Sequence, residues 1–536
     1  TCALPIFPYG NYFANLIVSD RILLEGKPFG SASEIGRVLR PCGGVLYLGQ
    51  PQNAPNPLDR RSLEDWLTNG GITGFSVEVN EGSWISKIRD PLPDAGEWTH
   101  QYAEPGNSAC SGDQRIQDPM EVLWFGRPGP RLIINRHSRP MAPLYKNGRI
   151  FIPGDDRIIT LDAYNGTRLW DLGVPGSRRM GAFKGSAQMA LSDESIYIAQ
   201  RNQCHAIDVM TGLPTKSLSI PLSSQDASLE EDQSEWGYIS CMADQLFGTA
   251  HPQGAAFYAY SANGNCDELE GDGRACMISD SIFSFDRDSG DLLWKYQVGK
   301  ILETSIAIGG DRVYFAENRN LPPPQGEWER PGRRWVKNFN AGENTFLVAL
   351  DRKTGNKVWE QVVHLPFTEM MYLSYSDQVV ITVGTYNLAE KCHYALFAYD
   401  ATSGQALWSD DYDSGKGPDG SHGEQWQHPV IMAGTIFSRP FFYQLHTGIR
   451  QEFTLNSGGK CGTYSASSNY LFARDSNPSY YPYGALHPKS RPLSKITRPG
   501  CFINIIPVGG LVLLPESSSG CTCEYSVQTS MAFIAE

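Results

Sequence analysis

The motif Asp351-Arg-Lys-Thr-Gly-Asn-Lys-Val-Trp359 is the clearest of six copies of one short pattern, which recurs between residues 161 and 448. The pattern is an Asp, a Gly four positions later and a Trp four positions after that Gly. Two copies are incomplete, because Lys216 replaces the Trp in the copy at Asp208 and Gln444 replaces the Asp before Gly448. Successive glycines are 46, 78, 65, 49 and 44 residues apart. A period near 45 residues is typical of folds that stack small β-sheets as repeated units.

Each copy predicts a tight β-hairpin. It follows a short apolar run, such as Phe346–Leu350, that has the pattern of a strand. The Asp carboxylate can accept N–H groups of the turn, Gly can adopt the positive φ that the turn requires, and the Trp falls on the returning strand. We therefore predict that the following residues dock one sheet on the next: Asp162, Gly166, Trp170, Asp208, Gly212, Asp286, Gly290, Trp294, Asp351, Gly355, Trp359, Asp400, Gly404 and Trp408.

The composition fits a large β-rich protein. Its 536 residues include 54 Gly and 35 Pro, which supply many turns, and a hydrophobic content of 41% suffices for a core. The formal net charge of -13 argues against a nucleic-acid partner. The longest apolar stretch, from Cys501 to Pro515, is interrupted by Pro and Gly and is too short for a bilayer, so we predict no transmembrane segment.

Residues 1–90 have a different pattern, in which a strand, a helix, a Gly-rich turn and a second strand follow one another. An apolar run ends at Asp20, a helical pattern covers Ser33–Leu39, and the turn Arg40-Pro-Cys-Gly-Gly44 leads into the strand-like run Val45–Gly49. This unit resembles the second half of a class I S-adenosylmethionine (SAM)-dependent methyltransferase, in which a Leu-Arg/Lys-Pro-Gly-Gly turn precedes a central strand. The resemblance implies a partial, Rossmann-like α/β segment that lacks the cofactor-binding half and is not competent alone. A plain α/β cap would show the same pattern.

The repeated motif resembles the pyrroloquinoline quinone (PQQ)-like β-propeller repeat, in which Ala-x-Asp-x-x-Thr-Gly-x-x-x-Trp docks neighbouring blades. With the methyltransferase-like segment and the closing Gly520-Cys-Thr-Cys523, the chain resembles exported bacterial PQQ-binding-like propeller proteins. This implies a mainly β fold, with an eight-bladed or alternatively seven-bladed quinoprotein-type propeller over 121–536 and a linker with first contacts at 91–120. The run Glu121–Phe125 would supply the outer strand of the last blade and close the ring.

Four kinds of function remain open. A binding scaffold for a protein, peptide or glycan at the propeller face needs no catalytic residues and no cofactor, and we expect this function. A quinoprotein alcohol or sugar dehydrogenase would bind PQQ with calcium, but the adjacent-cysteine disulfide of such enzymes has no counterpart, since no two Cys are adjacent here. A SAM-dependent methyltransferase would require a longer, full-length protein. A propeller hydrolase or lyase would instead need paired acids or a metal on the axis.

A candidate site lies at the mouth of the propeller channel. The loop after each Trp-bearing strand leads to the innermost strand of the next blade, so its residues line the channel entrance. Two arginines among them could pair with acids at a blade junction or bind an anion. We predict no metal site. The candidates are Arg178, Arg179, Trp236, Glu303, Glu369, His422, Trp426, Cys461 and Cys501.

The family resemblance implies a location outside the cytoplasm, either periplasmic or secreted. No signal sequence is visible after Thr1, so we expect a processed chain or one whose start is missing. The twelve cysteines could then form disulfides, for example between Cys266 and Cys276 around an acidic loop. Thiols in a β core, or a Cys-rich metal centre, would account for the same composition.

Overall fold

The computed structural model describes residues 9–28, 30–135, 138–182, 188–221, 234–252, 276–321, 335–336, 339–340, 344–368, 370–417, 427–455, 462–475, 477–485, 488–516 and 527–536. Over these residues the chain is mainly β, as predicted. No helix that the structure describes is long and apolar enough to cross a membrane. Cys266, Cys461, Cys521 and Cys523 lie outside the described residues, so the predicted disulfides are not tested.

Residues 9–28 and 30–88 form an α/β unit around a small four-stranded sheet. Its strands, in spatial order, are β1 (Leu16–Ile17), β2 (Val45–Pro51), β4 (Gly82–Ile88) and β3 (Ser76–Glu78); β1 is parallel to β2 and the other pairs are antiparallel. Ile35, Leu46 and Leu63 lie in its buried core. The predicted helix and second strand are therefore present, whereas the methyltransferase ancestry stays a prediction. The helices are α1 (Asp20–Glu25), α2 (Ala32–Val38) and α3 (Arg60–Asn69).

Eight antiparallel sheets, which we call I to VIII, make up the rest of the described chain. Sheet I contains β6 (Leu144–Lys146), β7 (Arg149–Gly154), β8 (Arg157–Asp162) and β9 (Arg168–Gly173). Sheet II contains β10 (Met189–Leu191), β11 (Ser195–Gln200), β12 (Gln203–Asp208) and β13 (Pro214–Ser219). Sheet III contains β14 (Ser234–Met242), β15 (Gln245–Pro252), β17 (Ser281–Asp286) and β18 (Leu292–Tyr296).

Sheet IV is larger than its neighbours, and a 3-10 helix (Glu303–Ser305) precedes its β20. Its strands are β16 (Cys276–Ser279), β19 (Lys300–Leu302), β20 (Ala307–Gly309), β21 (Arg312–Asn318), β22 (Trp335–Val336), β23 (Thr345–Asp351) and β24 (Lys357–Val362). Sheet V contains β25 (Met371–Ser376), β26 (Val379–Leu388), β27 (Lys391–Asp400) and β28 (Ala406–Asp413). Sheet VI contains β29 (Val430–Met432), β30 (Thr435–Ser438), β31 (Phe441–Gln444) and β32 (Arg450–Thr454).

The last sheets bring the two ends of the repeat region together. Sheet VII contains β33 (Ser465–Ala466), β34 (Tyr470–Arg474), β35 (Pro478–Pro482) and β36 (Arg491–Pro492). Sheet VIII contains β37 (Ile506–Val508), β38 (Leu511–Leu514) and β39 (Ser530–Ala535), and its fourth strand is β5 (Met120–Gly126). As predicted, the outer strand of the last sheet comes from the front of the chain, because β5 is antiparallel to β39.

Residues 96–113, which we call the belt, cross the eight sheets in order. One backbone N–H group of each sheet donates to the belt, and the donors are Tyr145, Leu191, Cys241, Ile308, Tyr375, Ile431, Ala466 and Gly510. Asp113 Oδ2 accepts the N–H of Gly96 at 2.8 Å and that of Gly510 at 2.7 Å, so the two ends of the belt meet. The segment predicted to be a linker with first contacts is therefore a largely buried part of the core.

The belt defines two faces of the molecule. The hydrogen bonds between the belt and the sheets lie near the end of the first strand of each sheet, where the chain turns into the second strand. The connections from one sheet to the next lie at the opposite end, which we call the open face (residues 177–182, 298–306, 427–429 and 499–505).

The N-terminal unit is held to sheet I on the belt side by a buried ion pair. Arg40 Nη1 donates to Asp162 Oδ2 at 2.8 Å, and the two side chains are 10% and 1% exposed. Asn165 Nδ2 donates to Asn15 Oδ1 at 3.0 Å beside this pair. Burial raises the pKa of the Asp162 carboxyl, an effect that the Arg40 charge opposes. The first docking hairpin therefore binds the N-terminal unit as well as the neighbouring sheet.

Replacing Arg40 should weaken this attachment strongly. Arg40→Ala leaves the Asp162 carboxylate buried without its cation, which costs about 3–5 kcal/mol. Urea unfolding monitored by tryptophan fluorescence measures the change in the free energy of unfolding. The control is Arg21→Ala, which removes the exposed pair between Arg21 and Glu25 and should cost no more than about 0.5 kcal/mol. Equal effects of the two variants would contradict the role of Arg40.

Candidate functional site

The indole of each docking Trp donates a hydrogen bond to the hairpin of the next sheet. The acceptor is in every case the carbonyl of the residue that follows the motif Asp or its replacement. Trp170 Nε1 lies 3.1 Å from the Val209 oxygen, and Trp359 Nε1 lies 3.0 Å from the Ala401 oxygen. The other pairs, at 2.8–2.9 Å, are Trp124 with Ala163, Trp294 with Arg352 and Trp408 with Leu445.

The motif Gly is required because the same indole lies directly against it. A Cβ on Gly355 would lie 2.6 Å from Trp294, and one on Gly448 would lie 2.4 Å from Trp408. In the copy at Asp208, where Lys216 replaces the Trp, Lys216 Nζ donates to the Arg287 carbonyl at 3.0 Å. This carbonyl is the acceptor that an indole would use. The Lys thus replaces the missing Trp.

The junction between sheets VI and VII and the junction between sheets VII and VIII lack the motif and are packed by aromatic rings. The Phe437 and Tyr464 rings meet edge to face at 4.8 Å between sheets VI and VII. Phe472 and Tyr480 of sheet VII share a buried cluster with Val512 and other residues of sheet VIII. Trp124 then joins sheet VIII to sheet I, so every sheet has a packed neighbour on both sides.

Replacing a docking glycine with alanine should destabilise the fold by more than the backbone strain of a positive φ alone. Gly355 and Gly434 both have a φ of +70°, but a Cβ on Gly434 would meet nothing within 4 Å. We expect Gly434→Ala to cost about 1–2 kcal/mol through backbone strain alone. Gly355→Ala should cost about 1–3 kcal/mol more, because the methyl group displaces the Trp294 indole. Urea unfolding of both variants gives the difference, and equal costs would show that the indole contact contributes nothing.

On the open face, the two predicted arginines pair with acids. Arg178 bonds to Asp155 and Asp156 in the turn between β7 and β8. Arg179 is buried, with Nη1 2.7 Å from the Gly237 carbonyl and Nη2 3.6 Å from Glu303 Oε2. The sequence left open whether these arginines pair with acids or bind an anion, and in the structure both lie beside acids.

Glu303 is the fully buried centre of this group. Its Oε1 accepts a hydrogen bond from the Ser279 hydroxyl at 2.7 Å. The Ser279 Oγ atom also lies 3.0 Å from Thr249 Oγ1. A Cβ on Gly237 would lie 2.3 Å from Glu303 Oε1, so a glycine there lets the backbone approach the carboxylate. The arrangement joins the connection before sheet II to sheets III and IV and leaves little of Arg179 for a ligand.

The remaining predicted site residues fall into two groups. Trp236 lies within β14 rather than in a loop, and its buried indole packs edge to face on Phe283 at 5.1 Å, because the strand begins earlier than the sequence suggests. Cys501 is buried on the open face, with Sγ 3.1 Å from Arg474 Nη1. Glu369, His422, Trp426 and Cys461 lie outside the described residues, and their predicted role stays a prediction.

A belt residue that the sequence did not single out is buried among several parts of the repeat region. The Tyr102 ring stacks on the His428 imidazole, with centroids 3.8 Å apart, and meets Tyr372 and Phe502 edge to face at 6.1 and 6.4 Å. These partners come from sheet V and from the connections before sheets VI and VIII. Tyr102 therefore packs the belt against three parts of the repeat region.

Two buried histidines in this region are held neutral. Burial lowers the pKa of His100 to about 3 and that of His428 to about 3. His100 Nε2 accepts the N–H of Cys241 at 3.1 Å, which requires the unprotonated nitrogen. His428 Nδ1 donates to the Pro429 carbonyl at 2.5 Å. Both imidazoles thus act as fixed polar parts of the core.

The stability of the protein should fall on acidification because of these histidines. Their folded-state pKa values lie below the unfolded value of about 6.5, so their stabilising contribution is complete above pH 6.5 and is lost as the pH falls toward 3. Between pH 7 and pH 5 each His should reduce the free energy of unfolding by about 2 kcal/mol. Urea unfolding at both pH values should show this loss reduced by that amount in His100→Gln and in His428→Gln. An unchanged pH dependence in both variants would contradict the assignment.

Two observations bear on whether this region fits a quinone with its metal. A cavity bordered by His100, Gln101, Tyr238 and Glu303 holds about one water molecule, with about 10 Å³ for its centre. A three-ring cofactor needs a pocket of roughly 300 Å³ or more. Among the described residues, no three His, Cys, Asp or Glu side chains are grouped so that they could hold a metal ion. This cavity is therefore too small for PQQ.

The sequence also gave no reason to select Arg474. It continues the apolar run of β34, and a charged residue at the end of such a strand usually reaches solvent. In the structure it is 3% exposed.

Comparisons with known proteins give one family match. The model described as outer membrane protein assembly factor BamB matches residues 121–257 and 278–435. No protein with a curated description matches the sequence.

Several solved structures are similar at low identity. Quinohemoprotein alcohol dehydrogenase from Comamonas testosteroni is 12% identical over 82% of this chain and 80% of that chain, with a TM-score of 0.49. A europium-containing methanol dehydrogenase is 10% identical over 76% of this chain and 88% of that chain, with a TM-score of 0.48. BamB from Moraxella catarrhalis is 12% identical over 72% of this chain and 92% of that chain, with a TM-score of 0.36. TM-scores below 0.5 carry no functional information.

Proposed function

The chain belongs to the family of the outer membrane protein assembly factor BamB, a family of PQQ-like β-propellers, and on this premise we propose that it is a binding scaffold and not an enzyme. In this proposal sheets I to VIII are the eight blades of a closed ring. The unbroken series of sheet contacts and the belt, whose ends meet at Asp113, support the ring.

The observation that carries the proposal is the packing of the belt among the sheets. The belt bonds to all eight sheets, the buried Tyr102 ring stacks on His428, and the Arg179 and Glu303 side chains lie beside each other. A dehydrogenase of this fold needs its channel for the cofactor, whereas a scaffold needs only the outer surface of one face. The open face is the proposed binding surface, because the belt and the N-terminal unit lie on the other side.

We propose a protein as the partner, since the family is named for the assembly of other proteins. Peptides and glycans at the same face are the alternatives. A periplasmic or secreted location is part of the proposal and follows from the same family. The N-terminal unit would act as a docked cap without methyltransferase activity of its own, which its buried attachment through Arg40 and Asp162 supports.

Photo-crosslinking from the two faces tests the scaffold proposal. Val298 lies on the open face and Met210 on the belt face, and they are 61% and 60% exposed. A photo-reactive amino acid at position 298, introduced in the native cell, should crosslink one protein reproducibly, and that protein, once purified, should bind the full chain. The matched variant at position 210 should not crosslink it. Equal crosslinking from both positions, or from neither, would contradict the proposal.

Reconstitution with a quinone tests the competing enzyme function. The purified chain incubated with PQQ and calcium should show no bound-quinone absorbance and no dye-linked oxidation of alcohols or sugars. Oxidation that depends on added PQQ would establish a dehydrogenase instead.

A further inference from the structure

The guanidinium of Arg474 is buried with more than half of its hydrogen-bonding capacity unused. Arg474 is the last residue of β34, where the strand ends at the open face, and it is 3% exposed. Its Nη1 lies 3.1 Å from Cys501 Sγ, while Nε and Nη2 have no hydrogen-bond partner. A buried cation without acceptors is strongly unfavourable. The described residues therefore supply no hydrogen-bond acceptor for Nε and Nη2 of Arg474.

The unused atoms form one edge of the guanidinium. Nε–H and one N–H of Nη2 point in parallel along that edge, and their spacing matches the two oxygens of a carboxylate. The contact of Nη1 with Cys501 fixes the plane of the group, so the edge is already oriented before a ligand arrives. An arginine prepared in this way is suited to a planar anion.

Arg179 provides a comparison on the same face. Both arginines are buried, but Arg179 donates to the Gly237 carbonyl and lies beside the Glu303 carboxylate. Both Nη groups of Arg179 thus have a partner, whereas the Nε and Nη2 edge of Arg474 has none. This difference favours a ligand-binding role for Arg474 over a purely structural one.

The loop that carries Cys501 favours a singly charged ligand. Asn504 Nδ2 donates to Glu516 Oε2 at 2.7 Å, and Asn504 Oδ1 has no hydrogen-bond partner. A Cβ on Gly500 would lie 2.1 Å from Glu516 Oε2, so the loop passes directly over this acid. The Glu516 charge repels any anion that approaches this loop, and it repels a dianion such as phosphate more strongly than a carboxylate, which carries one charge on two oxygens.

We propose that Arg474 and Cys501 form a carboxylate-binding site on the open face, with the carboxylate paired to the Nε and Nη2 edge. The inference rests on the proposed scaffold function and gives the chemistry by which that face recognises its protein partner. The carboxylate can come from the C-terminus of the partner or from an Asp or Glu side chain, which differ only in what they are attached to.

Acetate is the probe that tests the site on the full chain. Sodium acetate should raise the melting temperature of the protein above that in sodium chloride at equal ionic strength, in a saturable way. Arg474→Met and Arg474→Lys should each weaken the apparent affinity at least tenfold, because Met removes the charge and Lys removes the paired edge. Arg179→Met is the control and should keep the acetate response.

The same variants separate a binding role from a structural one. Without acetate, Arg474→Met should melt no lower than the wild type, since it removes a buried charge without acceptors, whereas Arg179→Met should melt several degrees lower. Equal effects of acetate and chloride on the wild type would overturn the proposal. So would an acetate response that survives in both Arg474 variants, or a loss of stability in Arg474→Met as large as in Arg179→Met.

Three blocked peptides identify the source of the carboxylate. Acetyl-Gly-Gly with a free C-terminus tests the terminal group, acetyl-Gly-Asp-Gly-amide tests the side chain, and acetyl-Gly-Gly-amide, with no carboxylate, should not bind. Binding of either of the first two supports the site, and equal binding of all three overturns it. If no carboxylate binds while position 298 still crosslinks a partner, this inference fails and the scaffold proposal stands. If acetate binds and no partner is found, the scaffold proposal fails alone.

Discussion

The contact of an indole with the glycine of the neighbouring hairpin is the interaction on which the rest of the structure depends. The indole takes its position only because Gly355 and its counterparts have no side chain, and its N–H then reaches the carbonyl next to the motif Asp. Packing and hydrogen bonding therefore fix the same geometry at each junction that has an indole. Where the indole is missing, Lys216 reaches the same acceptor, so the acceptor position persists although the side chain changes.

The belt imposes the second constraint, because it links sheets that are far apart in the sequence. It bonds to residues from Tyr145 to Gly510, and Asp113 joins its two ends. It lies on one side of the sheets and leaves the connections between sheets on the other. The two faces consequently differ in what they can do, although all the sheets except sheet IV are four-stranded and antiparallel.

Hydrogen-bond satisfaction separates structural from candidate functional residues on the open face. Arg179 and Glu303 lie beside each other, and Glu303 accepts a hydrogen bond from Ser279. Arg474 is equally buried but has an acceptor for only one of its three nitrogens. Buried polar groups in folded proteins are almost always paired, and Arg474 is the arginine of the described residues in which two neighbouring buried nitrogens both lack an acceptor, which points to a group that arrives from outside.

The sequence by itself determined the hairpins, the repeat and the mainly β fold, because the motif of Asp, Gly and Trp acts through turn chemistry and packing within a few residues of itself. It also placed the strand at Glu121–Phe125 beside the last sheet, since a repeat array needs its edge covered. Only the tertiary structure decided the belt, the strand position of Trp236 and the burial of Arg474. Residues 96–113 carry no periodic pattern, and their partners lie up to several hundred positions away. Whether a charged side chain at a strand end is solvated or enclosed depends on neighbouring sheets that no local pattern can specify.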